Sequence, residues 1–202
     1  MRVISNAIYK TLKSAYGNWS SWAVWNPVKV GDLSIFEPLG AMHPFLRSDL
    51  VYVGLNASRS LTAPWFNFHD GRQGSRDFIL ARTLNNAVFG GGYMTDIIKE
   101  AKNSDGADVS QKALTDDSIL KAHAHEFCSE MAMLGASSDT RYIIFGKAAK
   151  AVLDAMLAKG YLNGCGIHPS SIIAVTHYSA HVSEADFKKE LWDHIGIFLQ
   201  AS

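Results

Sequence analysis

The chain has 202 residues, 48% of them hydrophobic and 19% charged, a balance that excludes a disordered tail protein and a highly charged scaffold. At about 150 residues per domain this length makes one domain with room for an arm or lid, large enough to fold without a disulfide or metal. Nineteen basic and 19 acidic residues leave a formal charge of zero with histidine neutral, which argues against coating nucleic acid by bulk charge but allows a local basic groove.

Residues 1–48 read as a helix followed by irregular chain with Pro27, Pro38 and Pro44, an arm packed on the core. Lys10 and Lys13 interrupt its apolar pattern, so no signal peptide is expected. Trp19, Trp22 and Trp25, three residues apart, suit packing of that arm better than a stacking device. Residues 49–55 (DLVYVGL) form a short apolar run rich in β-branched and aromatic residues, which predicts a strand. Residues 78–88 predict a helix, and 93–98 (YMTDII) either a strand or a helix start. The polar stretch 102–117 reads as an exposed, mobile loop. Residues 118–134 predict a helix with Ile119, Ala122, Phe127, Met131 and Leu134 inward, while His123 and His125 suit surface and half-buried positions. Strands are predicted at 141–145 and 171–176, with a helix at 148–159 between them that buries Val152, Ala155 and Met156. The last helix starts at Ser183, with Asp186 as its capping partner and Phe187, Leu191, Ile195 and Phe198 inward.

Strands that are apolar on both faces and alternate with helices imply an α/β fold. The expectation is a three-layer α/β/α sandwich with a small central parallel sheet, in a single domain spanning 1–202. Cys128 and Cys165 are too few for a disulfide framework or a four-cysteine metal site and suit a reducing compartment. No apolar run reaches about 18 residues, so no membrane span is expected, and the chain reads as cytoplasmic.

In parallel sheets ligands bind beyond the carboxyl ends of the strands. Three segments stand there. GLNAS (54–58) offers a glycine for close approach and, in Asn56, an amide that can both donate and accept. Alone, Asn56 is more often a turn residue. THYSAH (176–181) places His177 and His181 at a metal-ligand spacing, but on a loop rather than a helix face, so no metal is expected. FGKAA (145–149) lacks the first glycine of a phosphate-binding loop, Arg141 standing in its place. No GxSxG, GxGxxG or HExxH pattern occurs, and no cofactor is expected.

Taken in order, VYVGLNAS, GGYMTDIIKE, YIIFGKAA and IIAVTHYSAHV resemble the strand-end motifs of the uracil-DNA glycosylase superfamily. The resemblance implies a small parallel sheet between helices and an enzyme that flips a damaged or mispaired base out of DNA and cuts its N-glycosidic bond. It implies that Asn56 positions the attacking water and that His177 hydrogen-bonds the base oxygen on which charge grows. Gly54 and Leu55 would border the base, and Ser58 and Ser179 would hold phosphates. An aromatic after the first motif would stack on the base; Trp65, Phe66 and Phe68 compete for this role, with Phe68 favoured. Arg59, Arg72, Arg76 and Arg82 would supply a basic rim.

Three residues depart from the motifs. Ala57 and Tyr178 stand where prolines belong, and Asp96 stands where a base-reading asparagine belongs. A carboxylate only accepts hydrogen bonds, so Asp96 suits a base edge with two donors and does not suit uracil unless protonated. A literal His168-Pro169-Ser170 precedes the third strand of the motif set and so lies at the wrong end of the sheet. The alternative is a non-catalytic protein of the same fold that binds a nucleobase or nucleotide; a further one is a metal hydrolase built on His177 and His181.

Overall fold

The computed structural model describes residues 1–37, 45–57, 61–99, 105–180 and 182–199, the last five by backbone alone. The strands are β1 Ser20–Trp22, β2 Arg47–Asn56, β3 Gly92–Ile98, β4 Arg141–Phe145 and β5 Ile172–Val175. They form one sheet in the order β1-β3-β2-β4-β5. The pairs β3–β2, β2–β4 and β4–β5 are parallel, and β1 lies antiparallel on the outer edge of β3. The helices are α1 Asn6–Tyr16, α2 Asp77–Leu84, α3 Gly106–Thr115, α4 Asp117–Leu134, α5 Lys147–Ala158 and α6 Glu184–Leu199.

Strand alternation sends successive side chains to opposite faces, and both faces are covered. Val51, Val53 and Leu55 of β2 pack with Leu12 of α1, Ala113 of α3, Phe127 of α4 and Val152 of α5. Leu50 and Tyr52, one residue out of phase, pack with Ile79 and Leu84 of α2 and with Phe187 and Leu191 of α6. This is the α/β fold anticipated from the alternating pattern, with one antiparallel strand added. Residues 93–98 belong to a strand. Ser183 opens α6, where its hydroxyl and Asp186 hydrogen-bond reciprocally.

The N-terminal segment is more than an arm, because β1 is part of the sheet: Trp22 pairs with Tyr93 and is fully buried. Most of the stretch expected to be a mobile loop is α3. Asp105 caps it by accepting from the Ala107 and Asp108 N–H groups, and Val109 and Ala113, one turn apart, are buried. Residues 102–104 lie outside the described residues. On α4 the buried stripe is Leu120, Ala124, Phe127, Met131 and Leu134. Ile119 is exposed and Ala122 faces out, because only the former set repeats at four and three residues without slipping off one face. Cys128 of α4 and Cys165, in the turn after α5, are joined as a disulfide with Cα atoms 5.2 Å apart. One bridge is not a framework, but it departs from the reducing-compartment reading. A cysteine count carries no information about which side chains the fold brings together.

Candidate functional site

A cleft of about 890 Å³ opens at the carboxyl ends of the strands, with Leu55, Asn56 and Ala57 after β2 and Gly146 after β4 among its walls. The chain leaves β2 with β3 on one side and β4 on the other, the topological switch point where open parallel sheets bind ligands. Leu55, Asn56, Phe68, Asp96, His177 and Ser179 all line this cleft. Ser58, Arg59 and His181 lie outside the described residues.

Gly54 sits opposite Asp96 in the β2–β3 register. A Cβ on Gly54 would come 2.3 Å from Asp96 Oδ1 and 3.3 Å from the Phe68 ring, so the absent side chain is what lets both approach the sheet. Phe68 adopts φ +63°, a left-handed conformation that is costly for a bulky residue. Its carbonyl accepts from the Trp25 indole at 3.2 Å. Backbone strain at an aromatic wall of a cleft is the pattern of a pre-organised binding surface. Trp65 shares the conformation, at φ +66°, but faces the core, where its indole N–H donates to the Tyr9 hydroxyl. Phe66 is half-buried and lines the cleft beside Phe68.

Asp96 is 4% exposed. Its Oδ2 accepts from Asn67 Nδ2 at 2.7 Å, and the other Nδ2 proton serves the Trp19 carbonyl at 2.8 Å. Burial pushes its carboxyl up to about 7, against the pull of Asn67 and Lys99 and with a further push from Glu130 and Asp77. Behind it lies a closed polar cluster. Lys99 Nζ donates to Glu130 at 2.7 Å, to Thr95 Oγ1 at 2.7 Å and to the Asp96 carbonyl, while Tyr93 and Thr95 donate to the same Glu130 carboxylate at 2.8 Å. Such a satisfied network holds the end of β3 in one geometry.

His177 follows β5. The backbone N–H of Ser179 donates to its Nδ1 at 3.2 Å, with the Ser179 hydroxyl 2.7 Å from the same atom. Nδ1 is therefore an acceptor, and in the neutral ring the proton sits on Nε2. Burial holds the imidazole below the ordinary histidine value, which favours that neutral form. Gly146, at φ +86°, makes room for the ring, since a Cβ there would lie 3.0 Å from His177 Cβ. Tyr178 stacks on the imidazole at 4.6 Å and meets Phe145 edge-on at 5.6 Å. The position where the motif has proline is thus filled by a buried ring. Ser179, exposed at the cleft, is placed to orient His177 through these two contacts.

Asn56 ends β2, and its Nδ2 donates to the Ala57 carbonyl at 3.1 Å, the local bond of a turn residue. Lys147, exposed on the first turn of α5, and Arg72 and Arg76 supply the cleft's cations. Arg72 pairs with Asp70 at 3.1 Å, and Arg76 donates to the Val182 carbonyl at 2.7 Å. Arg82 lies elsewhere, paired with Glu184 at 3.1 Å. His168 caps the short turn before β5, at the opposite end of the sheet. No group of three or more potential metal ligands occurs among the described residues. Asn67, Asp70 and Asp77 also line the cleft, though no motif in the sequence points to them. Asn67 sits in the PWFNF run, and its neighbour Trp19 is 48 residues away in sequence, so no local pattern marks it. Comparison with protein-family models finds no match to this chain, and comparisons with curated proteins and with solved structures find none either.

Proposed function

We propose that the chain is a glycosylase-type hydrolase that cuts the N-glycosidic bond of a damaged or mispaired base in DNA. The observation that carries the reading is the convergence of Asn56, Phe68, Asp96 and His177 on one cleft from four separate stretches of chain. An aromatic wall, a buried hydrogen-bonding floor and a neutral imidazole suit a flat heterocycle. The distribution of charge supports it further. Asp70, Asp77 and Asp96 are buried, whereas Lys147 and Arg72 are exposed, an order that suits an uncharged base inside and phosphate at the mouth.

In this reading His177 Nε2–H donates to the base oxygen on which charge grows as the bond breaks. Asn56 holds the attacking water; an amide is no general base, so the rate comes from electrostatic stabilisation and position. Base release from single strands and duplexes carrying uracil, hypoxanthine, xanthine, oxidised guanine or mispaired thymine tests the proposal. Asn56→Ala should lower release about 100-fold or more, the usual cost of losing one such polar contact, with the melting temperature little changed. Absence of release from every substrate overturns it.

A second reading is favoured by the Asn56–Ala57 hydrogen bond, which commits part of the amide to its own turn. The cleft would then bind a base or nucleotide without chemistry. DNA affinity that falls steeply with salt supports the first reading, and no DNA binding at low salt supports the second.

A further inference from the structure

Resting on the reading of the cleft as a base slot, we infer that Asp96 selects the base, and that the base selected presents adjacent N–H donors, as the N1–H and 2-amino group of a guanine-type purine do. Asn67 carries the argument. Both of its Nδ2 protons are committed, one to the Trp19 carbonyl and one to Asp96 Oδ2. Its amide is therefore held in one orientation, and its Oδ1 remains an acceptor. Among the described residues, neither this oxygen nor Asp96 Oδ1 receives a proton from the protein, and both residues line the cleft. Gly54 brings no side chain of its own against Asp96 Oδ1, and the Phe68 ring stands beside the same spot.

Among the described residues, Asp96 Oδ1 and Asn67 Oδ1 therefore offer the cleft two acceptors, the Asn67 donors being already committed. Uracil alternates carbonyl, N–H and carbonyl along its edge, so it brings an oxygen against a carboxylate. Hypoxanthine supplies one N–H and lacks the amino group. A guanine-type edge supplies both donors. Losing one charge-assisted hydrogen bond in such a site costs about 10- to 100-fold in affinity.

Among the described residues, the charged groups around Asp96 are Lys99 just beyond β3, Glu130 of α4 and Asp77 of α2, with Asp70, Arg72, Arg76, Lys147 and His177 on the cleft walls. Only the ionised carboxylate offers two acceptors. Raising the pH through about 7, where Asp96 titrates, strengthens guanine-type binding.

Calorimetric titration of the full chain with 9-ethylguanine, 9-ethylhypoxanthine and 1-methyluracil at pH 6 and pH 8 tests this. The expected order at pH 8 is guanine, hypoxanthine, uracil, with the guanine affinity severalfold weaker at pH 6. Asp96→Asn should lose about 10-fold or more for 9-ethylguanine, gain for 1-methyluracil and bind with little pH dependence. The wild-type pH profile reads the same group without any substitution. If uracil binds as well as guanine, or if the variant keeps the wild-type order, the inference fails and the base slot stands. If none of the three binds, both fail. Guanine-first binding by a chain that excises nothing upholds the inference and removes the glycosylase.

Discussion

Asp96 is where single-residue physics is most exposed to measurement. An unfolded chain loses the proton of this carboxyl near the usual value of about 4, whereas the folded chain holds it to about 7 because burial disfavours the charge. Between those values the native state binds a proton that the unfolded state has released, so this group makes stability fall as pH rises and level off above about 7. Asp96→Asn carries no such penalty and keeps an oxygen for Asn67. The variant should be more stable than wild type by on the order of 4 kcal/mol at pH 8, the gap closing towards pH 4, as read by urea unfolding at each pH. Part of the candidate site was legible: Asn56 and His177 follow from the rule that chemistry gathers at strand ends, whereas Phe68 and Asp96 were pointed to only by the motif resemblance, and all four line the cleft. What was not legible is the support behind them. The left-handed backbone at Phe68 and the orientation of Asn67 depend on contacts 43 and 48 residues away, and a spacing rule sees only neighbours.

Elements buried on both faces announced themselves, since a run such as RYIIF has no other use in a chain of this composition. The elements that escaped are short or polar. β1 is three residues long and two of them are serine; it earns its place through Trp22, whose ring packs edge-on against Tyr93 at 4.9 Å. α3 buries only Val109 and Ala113, too narrow a stripe to outweigh the asparagine, serine, aspartate and glycine before it. Its start depends instead on one capping carboxylate. Asp105→Ala leaves two N–H groups without that acceptor and should cost about 1 kcal/mol. Amide exchange should accelerate first in residues 106–109, with the sheet protected as before.

At the scale of the whole molecule, the disulfide and the N-terminal segment tie distant stretches together. The Cys128–Cys165 bridge links α4 to the turn after α5 across 37 residues of sequence. Reduction with dithiothreitol should lower stability by about 2–4 kcal/mol, seen as an earlier urea midpoint. The unreduced, denatured chain should show no titratable thiol; two thiols there would refute the pairing. The N-terminal segment acts on the cleft without entering it. Gly17 and Trp19 carbonyls receive the Trp65 N–H and the Asn67 amide, Ser21 donates to the Trp65 carbonyl, the Trp25 indole to that of Phe68, and the Val24 carbonyl faces the His69 ring at 2.9 Å. The wall bearing Phe68 is thus a hanging panel with these five hinges screwed into residues 17–25. A shortened chain starting at β2 would keep every residue that lines the cleft and still present a collapsed slot, so that boundary would discard the frame along with what looks like trim.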